Sequence, residues 1–400
     1  MTVTQELLAF TDALAAVLER AAPLPAEDVP LAQAAGRVLA EDARAVVDLP
    51  PFPSSAMDGY AVRAADTPGM LPVTERVAAG VPARRPLEPG EAFSIATGGV
   101  VPEGADTVVP VEDTDPRGDE VEIAAAAERG SNVRPRGGDA PAGTVVVPAG
   151  TRLAPAHVGA LAAAGVASVR CARRPRVAVL TTGTELRRPG EGLGPGDVYE
   201  ANGVMVAAAV ADAGGVPTLL DSVADDEDAH RVALERALEH DLVVTSGGVS
   251  VGPHDLVRET ERALGVEEVF WRVAVKPGKP LSFGVRGRTL VFGLPGNPVS
   301  SLVCFELFVR PAILALQGSG NPAPWFLVGE LASSVRANRY RDEFVRALAR
   351  VDSDRVLLEP IRGQESHMIA SAASADALVH VPRGDGSLPA GARVRYLELR

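Results

Sequence analysis

Leu242-Val243-Val244-Thr245-Ser246-Gly247-Gly248-Val249-Ser250-Val251-Gly252-Pro253-His254-Asp255 decides how the rest of the chain is read. Two further segments follow it: Lys276-Pro277-Gly278-Lys279-Pro280, and Leu290-Val291-Phe292-Gly293-Leu294-Pro295-Gly296-Asn297-Pro298-Val299-Ser300. Short apolar runs bounded by Gly and Pro read as buried strands. Glycines just past a strand let backbone N–H groups gather around an anion, because no Cβ blocks the approach. The two lysines add positive charge. The combination points to an anionic, phosphorylated ligand at the carboxyl ends of strands in an open α/β sheet. Taken singly, each segment has a plainer reading. Gly-Gly after a strand is a turn, the lysines are solvated charge, and Asn297-Pro298 opens a helix with Pro at its first position. Gly247 and Gly252 have the spacing of a nucleotide-triphosphatase loop, but Pro253 and His254 stand where Lys and Ser/Thr are needed. The dinucleotide fingerprint is not matched either.

Outward from this stretch, strands and helices alternate. Residues 177–180 form an apolar run that meets Thr181-Thr182-Gly183-Thr184-Glu185-Leu186. Helices are predicted at 202–213, 227–239, 255–264 and 298–316, and a strand at 218–223. This alternation predicts a parallel sheet with right-handed crossovers over residues 175–318. Toward the N-terminus, Leu7, Phe10, Leu14, Val17 and Ala21 share one face of a helix at 5–21. A second short helix is predicted at 31–39 and a third at 154–164. Between them, β-type runs at 73–78, 92–95, 107–111, 120–123 and 144–147 are broken by Gly and Pro. The expected architecture is multidomain α/β plus β. A β-rich lid domain (46–140) is inserted into an elongated helical domain (1–45 plus 141–174). After a linker at 317–324, a small β-domain (325–400) carries strands at 346–351, 355–360 and 392–399.

The bulk numbers narrow the function. The chain has 400 residues, 46% hydrophobic, 4% aromatic, with a formal net charge of −13. That charge argues against non-specific binding to nucleic acid or an anionic membrane, so any basic ligand site is local. Two cysteines, Cys171 and Cys304, leave no disulfide framework and no thiolate metal site. No signal peptide is evident and no apolar run approaches a membrane span, so the expectation is a cytoplasmic protein.

Asp58, Glu185, the Asp225-Asp226 pair and Asp255 stand beside glycines or at helix starts. Asp at a helix start is commonly a cap. Carboxylates converging at strand ends near phosphate-cradling loops also suit a hard cation such as Mg²⁺.

Six motifs in collinear order resemble the molybdopterin molybdenumtransferase family, the MoeA-type proteins that include the E domain of gephyrin. They are Ser55-Ala56-Met57-Asp58-Gly59-Tyr60-Ala61-Val62-Arg63, Arg136-Gly137-Gly138-Asp139, Thr182-Gly183-Thr184-Glu185-Leu186, the 246–255 loop, Lys276–Pro280 by its motif, and Leu294-Pro295-Gly296-Asn297-Pro298-Val299-Ser300. The resemblance implies an elongated four-domain subunit that forms a homodimer, with the cleft between the α/β domain of one subunit and the lid of the other. It implies transfer of molybdate to adenylylated molybdopterin, with Mg²⁺ bound and AMP released. It places Asp58, Thr97, Arg134 and Asp139 on the lid side. It gives Glu185, Asp225, Asp226 and Asp255 to Mg²⁺ or the oxyanion, and Ser246, Gly247, Gly248 and Ser250 to nucleotide phosphate with Lys276 and Lys279 beside them. Gly296, Asn297 and Pro298 would close the pocket floor, and Ser366, His367 and Ser371 belong to the C-terminal motif. Asp58, Glu185, Asp255, Lys276 and Lys279 are the expected catalytic set. Thr184 stands where many relatives have Asp, which leaves molybdate against tungstate open. Two rivals are the preceding adenylylation of molybdopterin, whose enzyme shares the α/β core and is an expected partner, and a non-enzymatic scaffold.

Overall fold

The structure, a computed structural model, describes residues 7–223, 226–247 and 256–399. The chain divides into two compact units, Met1–Glu27 with Gly36–Ala40 and Cys171–Arg400, and Asp28–Ala35 with Glu41–Arg170.

The first unit contains the α/β sheet. Its strands are β1 (Arg176–Thr181), β2 (Val216–Leu219), β3 (Leu242–Ser246), β4 (Glu267–Trp271), β5 (Ser282–Arg286) and β6 (Thr289–Leu294), in the spatial order β2-β1-β3-β6-β5-β4. β2, β1, β3 and β6 run parallel. Val177 to Leu180 and Leu242 to Val244 are wholly buried, as strands covered on both faces must be. The parallel expectation stops at β6. β5 and β4 run antiparallel to their neighbours, because the two-residue Gly287-Arg288 connection between β5 and β6 permits only a hairpin return. The helices are α1 (Asn202–Asp212), α2 (Glu227–Ala237), α3 (Leu256–Ala263) and α4 (Pro298–Leu316). α4 contains a π-helical segment at Phe305–Val309. It is the apolar, membrane-length run that the sequence was expected to lack, and 83% of it is buried inside the fold as the central core helix.

Two helical expectations shrink. The first helix begins at Phe10 and ends at Arg20, while Leu8 bridges to Val273 instead. At 31–39 only one 3₁₀ turn forms, Leu31–Gln33, because the stretch between Pro30 and Gly36 is too short to nucleate an α-helix. Phe10 anchors the N-terminal helix by edge-on contacts with Phe308 (5.6 Å) and Phe344 (5.5 Å).

The C-terminal strands are β7 (Leu327–Leu331), β8 (Asp342–Asp352), β9 (Arg355–Pro360), β10 (Ala377–Val381) and β11 (Arg393–Glu398). They pair in the circuit β8-β9-β7-β11-β10 and back to β8, a closed barrel. Leu331, Val345, Ala347, Leu358 and Val379 fill it.

The second unit is built on a six-stranded sheet in the order Thr107–Pro110, Gly59–Val62, Ala92–Ile95, Gly69–Val77, Glu120–Ile123, Thr114–Arg117. Gly59 sits where this sheet tolerates no side chain, since a Cβ there would collide with the Val109 carbonyl. The helix Pro155–Ala163 lies in the same unit.

Candidate functional site

The parallel strands end together. Thr181 is level with Ser246, and Ser246 with Leu294. The loops leaving these ends enclose a cleft of about 830 Å³, lined by Thr182, Glu185, Glu200, Asn202, Gly296 and His367, among others. The loops are tied to one another. The Thr182 amide donates to the Ser246 carbonyl (3.1 Å) and the Gly247 amide to the Leu294 carbonyl (3.3 Å). Gly247 has φ +100°, and a Cβ there would stand 2.6 Å from the Thr182 carbonyl oxygen and 2.8 Å from its Oγ1. Asn202, at the start of α1, donates through Nδ2 to Ser246 Oγ (2.9 Å) and to the Gly296 carbonyl (2.7 Å). Asn297 precedes Pro298 at the start of α4, but its side chain does not cap that helix. It donates to Ser366 Oγ (2.9 Å), while the Val299 amide donates to the Ser366 carbonyl (3.1 Å). Ser366 therefore docks on the first turn of α4.

The charge in this cleft is acidic. Glu185 is exposed, and Glu200 is buried with Oε1 accepting the Gly203 amide at 2.6 Å. No Lys or Arg is among its described lining residues. Nearby Arg187 pairs with Asp197 (2.8 Å) and Arg188 with Asp221, so Glu185 has no cation partner among the described residues. The described residues hold no cluster of three metal-ligating side chains. Apart from the His367 imidazole, the donors lining the cleft are carboxylate, hydroxyl and carbonyl oxygens, a set weighted toward a hard cation. Gly248, Ser250, Asp225 and Asp255 lie outside the described residues. Asp226 caps α2, with Oδ1 accepting the Ala229 amide at 2.8 Å, and it does not line the cleft.

Lys276 is placed apart from Glu185 and Ser246. It pairs with Glu343 on β8 at 2.9 Å and lines a second cavity, of about 750 Å³, with Arg336, Arg339, Tyr340 and Gln364. Lys279 is exposed and Pro280 beside it lines the strand-end cleft. Because Trp271 is level with Ser282 and Ser282 with Gly293, the 272–281 connection emerges at the same sheet edge as Gly296. Ser371 lies in the short helix Ile369–Ala372, outside the lining of the cleft. Sequence reading missed Asn202 and Glu200, although a polar residue followed by Gly at a helix start was visible. It also missed Arg346. This guanidinium is fully buried. Its Nη2 donates to the Gly363 carbonyl at 2.8 Å, and its Nε and Nη1 have no hydrogen-bond partner among the described residues. Burial lowers its pKa, opposed by Glu365 and Glu343. It holds the loop that leads to Ser366.

In the second unit, Asp58 Oδ1 accepts from the Thr97 amide (2.7 Å) and from Thr97 Oγ1 (3.0 Å). Both bonds favour the carboxylate, first the amide and then the hydroxyl, and hold the Asp58 pKa below the ordinary 3.8. Arg134 is exposed on a short strand, level with Ser54. The Asp139 amide donates to the Leu49 carbonyl at 2.9 Å, and its loop is braced by Arg136, whose Nε meets Asp48 Oδ2 at 2.6 Å.

Comparison with known proteins agrees along the whole chain. Three family profiles match: the MoeA N-terminal region (domain I and II) over residues 8–165, a probable molybdopterin binding domain over 178–315, and the MoeA C-terminal region (domain IV) over 328–399. Molybdopterin molybdenumtransferase 2 of Mycobacterium tuberculosis is 39% identical over 386 residues, 93% of this chain and 94% of its own. Molybdopterin molybdenumtransferase of Bacillus subtilis is 32% identical over 412 residues, 96% of each. A crystal structure of the molybdopterin biosynthesis MoeA protein from Pyrococcus horikoshii superposes with a TM-score of 0.86 at 30% identity, covering 98% of this chain and 100% of that one.

Proposed function

The chain belongs to the molybdopterin molybdenumtransferase (MoeA) family, and from that premise we propose that it transfers molybdate to adenylylated molybdopterin with release of AMP. It is an enzyme of molybdenum cofactor biosynthesis. The observation that carries the finer reading is the strand-end cleft: glycine loops open to a phosphate chain, walled by carboxylates with no cation of their own. Such walls repel an anionic ligand unless a cation lies between them. Bound Mg²⁺ would offset the charge of the pyrophosphate and the oxyanion. Glu185 and Glu200, which line the cleft, are the described carboxylates that would hold it. Asp255 and Asp225 complete the proposed carboxylate set, and Asp226, which caps α2, is left out of it.

The chain's own residues divide the work. Ser246 and Gly247, with Gly248 and Ser250, take nucleotide phosphate. Gly296, Asn297 and Pro298 form the floor, and the Asn297–Ser366 bond sets its position. Lys279 approaches from the hairpin that shares this sheet edge, and Lys276 would join it only by leaving its partner Glu343. Asp58 is kept ionised by Thr97, and with Arg134 and Asp139 it supplies the lid side in a cytoplasmic homodimer. A molybdopterin adenylyltransferase would supply the substrate.

The test is AMP release from adenylylated molybdopterin, with and without molybdate and Mg²⁺. Release that requires both supports the proposal. Formation of adenylylated molybdopterin from molybdopterin and ATP, with no molybdate-dependent AMP release, would assign the preceding step instead.

A further inference from the structure

We propose that Asn202 is a positioning residue that sets the two glycine loops of the cleft against each other, an inference that rests on the transferase reading for its catalytic consequence. Its Nδ2 has two hydrogens, and the structure gives it two acceptors on different loops: Ser246 Oγ at 2.9 Å after β3, and the Gly296 carbonyl at 2.7 Å after β6. Both donors are spent, so the amide has one orientation. Reversing it would set Oδ1 against the Gly296 carbonyl oxygen, two acceptors without a proton between them. The post that carries this amide is rigid. α1 buries Val206 and Val210 completely, and the turn before it is held by Glu200 Oε1, which accepts the Gly203 amide at 2.6 Å.

Beneath the bridge, Ser301 Oγ of α4 donates to the Pro295 carbonyl, and Ser246 Oγ lies 3.4 Å from Ser301 Oγ and from the Pro295 carbonyl. Asn202 therefore closes a network that spans β3, the β6 loop and α4. Without it, the two loops would be joined, among the described residues, by the longer Gly247 to Leu294 bond of 3.3 Å and by the 3.4 Å contacts of Ser246. Ligands held between the loops would then lose alignment before they lose affinity. Misplacement on the order of 1 Å costs about a hundredfold in rate.

Two variants and two readouts test this. Asn202→Ala removes both bonds, and Asn202→Asp keeps the shape but sets an anion against the Gly296 carbonyl, leaving at most a bond donated by the Ser246 hydroxyl. Both are expected to lower kcat for AMP release about ten- to hundredfold with KM changed less than about threefold. Both should also speed amide hydrogen exchange in peptides covering 242–247 and 294–299 without changing the barrel strands. Exchange unchanged in both peptides would overturn the bridging role whatever the activity. Faster exchange with kcat intact would overturn its catalytic consequence and leave Asn202 a stabilising residue. If the unmodified protein releases no AMP, the transferase reading fails alone, and the exchange result still decides whether Asn202 couples the loops.

Discussion

Replacing Gly247 with Ala should destabilise the α/β unit far more than replacing Gly296 with Ala, although both glycines line the same cleft. At Gly247 the added Cβ would lie 2.6 Å from the Thr182 carbonyl oxygen and 2.8 Å from Thr182 Oγ1. An ordinary carbon–oxygen contact is about 3.3 Å or more, so the loop must yield by about 0.5–0.7 Å. It has little freedom to do so, being tied by the Thr182 to Ser246 and Gly247 to Leu294 bonds. Holding a residue with a Cβ at φ +100° adds about 1–3 kcal/mol of backbone strain, and overpacking of a tied site adds about 1–3 kcal/mol. The sum, about 2–6 kcal/mol, is a large part of a stability of about 5–15 kcal/mol. At about 2–4 °C per kcal/mol, melting should fall by roughly 5–20 °C. At Gly296 the nearest atom to an added Cβ is Gly247 Cα at 3.8 Å, and the backbone is not left-handed. The expected loss there is within about 1 kcal/mol. Thermal melting of the two variants beside the unmodified protein is the assay. Equal losses, or no loss for Gly247→Ala, would show that the loop is not held as described.

Lys276→Ala should cost about 1 kcal/mol or less, since the Lys276–Glu343 pair is partly exposed, yet raise KM for the adenylylated substrate. Steady-state kinetics with an unchanged KM would remove this lysine from the site. Thr97→Val should move the Asp58 carboxyl pKa up toward 3.8 by removing the hydroxyl bond, as followed by NMR titration of its carboxyl carbon, and Asp58→Asn should abolish AMP release without lowering the melting temperature. His380 supplies a pH dependence. Arg395 Nη2 lies 3.0 Å from His380 Nδ1, so Nδ1 accepts and Nε2–H donates to Asp342 at 3.1 Å. Burial, with a smaller push from Arg395, lowers its pKa below 6.5 against the opposing Asp342. The unfolded chain then takes up the proton at higher pH than the folded one, so stability is full above about pH 6.5 and falls as pH drops below it. Urea midpoints between pH 7.5 and 5 should show this, and His380→Gln should flatten it. A rise in stability toward acid pH would contradict the assignment.

Much of the fold was legible because apolar runs and punctuation are local. Val177 to Leu180 and Leu242 to Val244 could only be buried strands, and the helix over 298–316 followed from its spacing. The hairpin at Gly287-Arg288 was not predicted, and neither were the strands at 267–271 and 282–286 that it brings into the sheet. The glycine loops of the site were visible for the same local reason. Its ties were not. The pairing of Lys276 with Glu343, the docking of Ser366 under Asn297 and the burial of Arg346 all join residues far apart in sequence. Asn202 looked like an ordinary helix start because its two acceptors arrive from other strands.

The closed circuit of the C-terminal barrel has one more implication. β11, the final strand, sits between β7 and β10, so shortening the chain by that strand alone would bare two unpaired margins at once. A product lacking β11 would then invite pairing with other chains and clump, so this one strand guards two others against association.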